Sequence, residues 1–523
     1  MGVQLDIHTF RCVSLTLLWG TRKGRAYGSS DVLPVGRKNI TDYHTTDRQN
    51  TNIPKNQNTK PPMSFSRTGH ILASAGAAIG VANLVIFPYR VQFFGGGAYV
   101  LAFVVFTLMM GIPLMILENA LGKRSGKDAI DAFRGQGDGP NWAWIGRLGI
   151  LTSIMVASFY LVLAGWTLDY TWAYLTDYAA VASTPAGPAF GAATTTISRA
   201  LLFTGLFTAL AAVISSSRLR SGVERLSKFA MPLLGVLVVF LIVSLPILRP
   251  EAVDYSNLLR LDWDGLFVPN ENGELGILHA LGQAFFSLGL GAASMMTFAT
   301  HLDRKANVMK SAPTIVHLDT VVALLGALLV VPLLGNVEGN VYNGPPLVFI
   351  NLVEIFKSYG SAGQVVGLSF FVLLGVAILT SAVSLIEPAL RALVNQRGWS
   401  RRWTGLGLGV LIFLLSIPVV ISCSPEGPAW LTNFAGMGGS DPSMGYFNFL
   451  LEWFGSISLL IGGLLLCIYL LFRWGLDNFF AELELGGHTV SPLWRSGLTL
   501  AFKVVIPAGI IILLLAKAWS LAA

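Results

Sequence analysis

From Thr68 onward the chain is a succession of long, almost uncharged apolar runs, and this feature limits what it can fold into more than any other. Eleven runs can be delimited, at about 68–93, 97–121, 148–172, 198–217, 226–248, 275–302, 312–335, 363–390, 401–422, 447–472 and 493–520. Each approaches the ~20 residues that a helix needs to cross the hydrocarbon of a bilayer. Lipid offers main-chain amides no partner, so a span must be a helix or part of a closed barrel. Runs such as 236–243 lack the alternation of a barrel strand. The expected class is therefore all-α, a polytopic membrane protein with 11 transmembrane helices. Charged residues make up only 12% of the chain and apolar ones 53%, against about 25% charged in a soluble domain, which excludes a water-soluble enzyme. Cys12, Cys423 and Cys467 are too dispersed to form a metal motif or an evident disulfide framework. No nucleophile with a base, and no cluster of metal ligands, points to covalent chemistry.

Location explains the charge. Of the formal +7, residues 1–62 contribute +5, nine Lys/Arg minus four Asp, so there is no basic surface for nucleic acid on the membrane part. This stretch is polar and turn-rich and is expected to be a disordered cytoplasmic tail; Met63 is an alternative start. The apolar run 12–19 is too short to span and lacks a small-residue cleavage site. The loops after spans 2, 4, 6, 8 and 10 hold eighteen Lys/Arg, whereas the alternate loops hold four, Arg199, Arg249, Arg260 and Lys357. The basic side is therefore expected to be cytoplasmic, with the N-terminus inside and the C-terminus outside the plasma membrane. A short helix is expected in the outer loop at 345–357.

Two spans carry flexible residues at mid-depth: Gly76 and Gly80 within the first, Gly289 and Gly291 within the sixth. Glycine costs about 1 kcal/mol relative to alanine inside a helix, and unwinding frees amides and carbonyls that hydrocarbon penalises unless a ligand or cavity takes them. Close packing of small residues would explain either break alone. A matching pair five spans apart instead indicates a 5+5 inverted repeat, with 67–248 and 275–472 as its halves, 493–520 as an added span, and a site between the halves. Residues 63–523 are then one transporter domain.

The segments Gly76-Ala77-Ala78-Ile79-Gly80-Val81-Ala82-Asn83, Phe87-Pro88, Gly95-Gly96-Gly97-Ala98 and Gly111-Ile112-Pro113-Leu114-Met115-Ile116-Leu117-Glu118 resemble the first two helices of the neurotransmitter:sodium symporter family. Gly222 to Pro232 resembles that family's fifth helix, and Gly282-Gln283-Ala284-Phe285-Phe286-Ser287-Leu288-Gly289-Leu290-Gly291 its broken sixth. The resemblance runs from Ser66 to the C-terminus, nearest to the bacterial leucine-transporter-like branch with eleven helices.

The resemblance implies one sodium site at the carbonyls of Gly76, Ile79 and Ala377 with the hydroxyls of Thr380 and Ser381. Five neutral oxygens suit a hard cation, although Thr380 and Ser381 could equally bond back to the preceding turn. A second implied site comprises the Ala78 carbonyl, Asn83, Ser287 and Asp319, where the family typically has Asn. A carboxylate at mid-membrane is expensive unless paired or bound to a cation, so Asp319 stands out; a protonated or His317-associated structural Asp is the alternative. Phe103 and Ala323 replace two chloride-binding positions of the eukaryotic branch, although Gln283 and Ser287 remain, so chloride coupling is not expected. Asp319 would then supply the negative charge that chloride supplies elsewhere.

The opened amides at Gly80, Val81 and Ala82, beside the positive end of a half-helix, suit a substrate carboxylate, with Tyr160 at the family position whose hydroxyl binds it. The acid that monoamine members carry in this part of helix 1 is missing, which favours an amino acid. Ala77, Val156, Phe286, Gly289, Ala292, Ser381 and Leu385 occupy the side-chain pocket positions, with room for a bulky apolar or aromatic side chain. The gates depart from the family. Its outer Arg and Asp fall at Ile86 and Leu451, beside Glu452, leaving Arg90 or Glu452 as substitutes, or closure by Phe286 over Tyr160. Its inner Arg, Trp, Tyr and Asp fall at Pro61, Ser64, His301 and Asn395, leaving Lys60, Arg67 and Glu387 as replacements. The expected function is sodium-coupled amino acid symport by alternating access. A non-transporting sensor or scaffold and a proton-coupled carrier using Asp319 are the alternatives.

Overall fold

A computed structural model describes residues 65–134, 141–270, 273–335, 341–437 and 444–522; the tail expected at 1–62 lies outside them, as do Met63 and the gate positions Lys60, Pro61 and Ser64. Among the described residues the chain is helical, and the one bridge of extended type joins Gly96 to Leu261. Among the described residues, nine helices are long and apolar enough to cross a membrane. They are α3 (Gly97–Ser125), α4 (Ala143–Thr176), α5 (Ile197–Ser216), α6 (Arg220–Leu248), α9 (Val308–Leu334), α10 (Ala362–Arg397), α11 (Arg401–Ser422), α12 (Gly445–Trp474) and α13 (Pro492–Trp519). The first apolar run forms a pair, α1 (Arg67–Ala78) and α2 (Ala82–Phe93), bent by 53° at the break. The sixth forms the short apolar helix α7 (Gly276–Leu288) and then α8 (Ser294–Ala299).

Local chemistry accounts for these limits. Ser66 caps α1 by accepting from the Gly69 amide at 2.9 Å, and its own hydroxyl donates to Glu224 at 2.7 Å. α1 stops where Ile79 leaves the helical region at ψ 115°. Helix α3 ends on Gly126, a left-handed cap at φ 62°. α4 and α10 reach beyond the expected 148–172 and 363–390, and the added turns of α10 are held by side-chain hydrogen bonds. Asn395 and Gln396 at the far end of α10 donate to Asp128, the latter at 2.9 Å. The helix expected at 345–357 forms over Leu347–Lys357.

The main core packs α4 and α10 side by side, with α5 and α11 against α4 and with α1 and α6 against α10. One end of it is aromatic: Trp166, Phe190, Phe349 and Phe371 are buried together, with Phe190 and Phe349 stacked at 5.3 Å. α6 turns a bare apolar face outward, Ile247 being 73% exposed, as a lipid-facing helix does. The two broken elements run through the middle of this framework, beside α4 and α10.

A site built from two broken helices

The break between α7 and α8 is a tight reversal of helical sense, with Gly289, Gly291 and Ala293 all left-handed at φ 58°, 89° and 62°. Gly291 cannot be replaced there, because a Cβ would also come within 2.5 Å of the Leu459 carbonyl oxygen and 3.1 Å of the Gly463 nitrogen on α12. Ala293 holds this conformation at a cost of about 1–2 kcal/mol for a residue with a Cβ. The amides freed by the break find a carboxylate: Glu118 of α3, wholly buried, accepts from Gly291 at 2.7 Å and Met296 at 3.3 Å. At the other break, the Gly80 amide donates to the Asn83 side chain at 3.1 Å, the Val81 amide to the Tyr160 hydroxyl at 3.3 Å, and Gln283 to the Ala82 carbonyl at 3.0 Å.

Two oxygen clusters lie beside α1. In the first, the Ser381 hydroxyl is 3.0 Å from the Ile79 carbonyl, 3.3 Å from that of Gly76 and 3.2 Å from that of Ala377, and Thr380 donates to Ala377 at 2.9 Å. The five groups singled out in the sequence thus converge, and the back-bonding of Thr380 and Ser381 occurs together with their approach to α1. A neutral set of carbonyls and hydroxyls fits an alkali cation, which takes hard oxygen ligands without needing a net charge. In the second cluster, the Asn83 amide donates to Ser287 at 3.0 Å and to the Asp319 carboxylate at 2.9 Å, and Ser287 donates to the other Asp319 oxygen at 2.7 Å. Asp319 is wholly buried, and among the described residues no cationic side chain pairs with it. His317 is exposed and bonds to the Pro313 carbonyl at 2.7 Å, so it does not neutralise Asp319. A buried carboxylate without a counter-charge fits a cation among these groups. Ala78 lines the adjoining cavity.

That cavity, of ≈ 80 Å³, is lined by Ala77, Gly80, Ala82, Val156, Tyr160, Phe286, Gly289, Ala292, Ser381 and Leu385, all predicted from sequence. Phe159, Ser294, Met295, Ser384, Gly455 and Leu459 line it as well and were not anticipated. For Ser384 the signal existed, since it stands one turn beyond Ser381; for Gly455 and Leu459 on α12 no local pattern exists. Val81, by contrast, has its side chain in a separate apolar cavity of ≈ 50 Å³ that also receives Ile86 and Leu451. Larger hollows, ≈ 400 Å³ beside Asp169 and ≈ 950 Å³ along α6, lie away from both breaks.

The gate substitutes fall out differently from one another. Arg90 donates to Gln283 at 2.7 Å, while Glu452 pairs with Lys517 at 2.8 Å. Neither rebuilds an ion pair with the other, and the Ile86 and Leu451 positions meet as apolar surface. At the opposite end, where α1 begins, the Phe65 amide donates to the His301 carbonyl at 3.2 Å, and the Phe65 ring lies 5.7 Å from His301 and 6.3 Å from His70. Glu387, wholly buried, is held by both ends of the Arg401 guanidinium at 2.7 Å, and Arg67 is exposed.

Comparison with known proteins agrees with this arrangement. Residues 64–184 and 199–522 match the model of the sodium:neurotransmitter symporter family. The chain is 31% identical over 364 residues to the uncharacterized sodium-dependent transporter YhdH of Bacillus subtilis, covering 69% of this chain and 79% of the relative. It is 22% identical over 478 residues, 82% of this chain and 72% of the relative, to the sodium-dependent nutrient amino acid transporter 1 of Drosophila grimshawi. The crystal structure of MhsT in complex with L-phenylalanine superposes with a TM-score of 0.74 at 30% identity, covering 88% of this chain and 100% of that one. The chain belongs to the sodium:neurotransmitter symporter family and is a multi-pass membrane transporter that uses sodium, not an enzyme.

Proposed function

We propose that this protein is a sodium-coupled amino acid symporter of the plasma membrane that works by alternating access. Its architecture in this reading is eleven spans, nine continuous and two broken, in a 5+5 inverted repeat of 67–248 and 275–472, with the tail and N-terminus inside and the C-terminus outside. Sodium at Gly76, Ile79, Ala377, Thr380 and Ser381 ties α1 to α10 and favours the outward-open state. A second sodium lies among Ala78, Asn83, Ser287 and Asp319. The substrate carboxylate takes the amides of Gly80 to Ala82 and the Tyr160 hydroxyl, and its side chain enters the cavity beneath. Chloride has no role, because Asp319 supplies the negative charge.

The observation that carries the reading is the convergence of both breaks, the five neutral oxygens and the cavity lined by Tyr160 at one place. The Drosophila relative, named as an amino acid transporter, and the phenylalanine complex of MhsT support an amino acid as cargo. A thermal-shift screen of the twenty amino acids, with and without sodium, tests it, since a ligand that binds only the native state raises its apparent stability. Stabilisation by one group of neutral amino acids, in sodium only, is expected. Equal stabilisation in choline, or none by any amino acid, would overturn it. The buried, unpaired Asp319 favours a second reading, a proton-coupled carrier; uptake driven by a pH gradient alone would select it.

A further inference from the structure

On the reading of it as the amino acid site, the cavity carries information about the far end of the cargo. None of the side chains lining it is charged or an amide, so an acidic, basic or amide side chain would lose its hydration without gaining a partner. Most of the wall is apolar, including Val156, Phe286, Met295 and Leu459, while Gly289 and Ala292 leave width for a flat ring. Besides Tyr160, four hydroxyls interrupt this surface: Ser287 and Ser381, which donate to Asp319 and to the Ile79 carbonyl, and Ser294 and Ser384. Ser294 begins α8, Ser384 stands on α10 one turn beyond Ser381, and both are buried.

Both hydroxyl protons are already committed. Ser294 donates to the Ser384 carbonyl at 3.2 Å, and Ser384 donates to the Ser381 carbonyl at 2.7 Å. A hydroxyl has one proton and two lone pairs, so these two oxygens can still accept but have nothing left to give. The wall away from Tyr160 therefore offers side-chain acceptors without side-chain donors. We propose that the cargo is an aromatic amino acid with a hydrogen-bond donor on its ring, an indole N–H or a phenol O–H, so that tryptophan or tyrosine is preferred over phenylalanine and aliphatic amino acids.

The test compares each ring with a near-isostere lacking the donor. Affinities of tryptophan, 3-benzothienylalanine, tyrosine, 4-fluorophenylalanine, phenylalanine and leucine are measured by calorimetry on the full chain in saturating sodium. Tryptophan or tyrosine is expected to bind about tenfold more tightly than its donor-free partner, the scale of one net hydrogen bond. Ser294→Ala and Ser384→Ala should each shrink that ratio, with folding checked by the sodium-dependent thermal shift. Because the isostere series uses the unaltered chain, it decides even where a variant fails to fold. Equal affinity within both isosteric pairs, or tightest binding of phenylalanine or leucine, overturns this inference and leaves amino acid symport standing. Binding of no amino acid in sodium overturns both.

Discussion

Replacing Asp319 with asparagine keeps the size and one oxygen of the side chain and removes its charge. The carboxylate oxygens lie 2.9 Å from the Asn83 amide nitrogen and 2.7 Å from the Ser287 hydroxyl, so a cation held by these groups would sit about 4 Å or less from the charge. At that separation a unit charge is worth about 4 kcal/mol at an effective dielectric of about 20, roughly a thousandfold in affinity. Relaxation of the neighbours reduces this, and a loss of about 100- to 1000-fold in sodium affinity at this cluster is expected. Sodium would be titrated against choline at constant ionic strength, with thermal stability as the readout and gluconate as the anion. The sodium-dependent shift of Asp319→Asn should move to far higher concentration. Its stability in sodium-free buffer should not fall, because an unpaired buried charge has been removed. A variant with the parent's sodium midpoint, transporting normally without chloride, would refute both the cation site and the idea that Asp319 stands in for chloride.

Other substitutions probe the first break, the buried ion pair and the anion dependence. A Cβ at Gly80 would meet the Tyr160 hydroxyl and come 3.0 Å from the Ser381 oxygen, so Gly80→Ala should weaken amino acid binding by about 10- to 100-fold, the range of overpacking penalties, in direct binding assays. Arg401→Ala strands Glu387, which is wholly buried, and should lower unfolding stability by about 3–5 kcal/mol; adding Glu387→Gln should restore most of it in the same thermal assay. Exchange of chloride for gluconate should leave uptake by the unaltered protein unchanged, since Phe103 and Ala323 are wholly buried apolar residues where hydroxyls would be needed.

The membrane class, the positions of both breaks and the adjacent hydroxyls of Thr380 and Ser381 were readable in the sequence because each has a local cause. A run of apolar residues, a glycine in a helix interior and a Thr-Ser pair are visible without knowing the fold. That Ser381 and Asp319 face the first broken helix needed the family resemblance, since nothing local says so. The contacts at the two ends of the broken helices were least legible. The Phe65, His70 and His301 rings meet only because the start of α1 and the end of α8 converge, and the Arg401–Glu387 pair joins two helices across a turn. Gly455 and Leu459 enter the cavity because α12 packs against the α7–α8 break, with Gly291 lying against Gly462 and Gly463. Contacts between segments so distant along the chain leave no periodic trace.

Uptake of labelled amino acid into proteoliposomes under an imposed sodium gradient is the decisive measurement of sodium-coupled symport. Symport requires accumulation above the external concentration that collapses when sodium is equal on both sides and is lost when choline replaces it. Binding without accumulation, or accumulation indifferent to the sodium gradient, would contradict it.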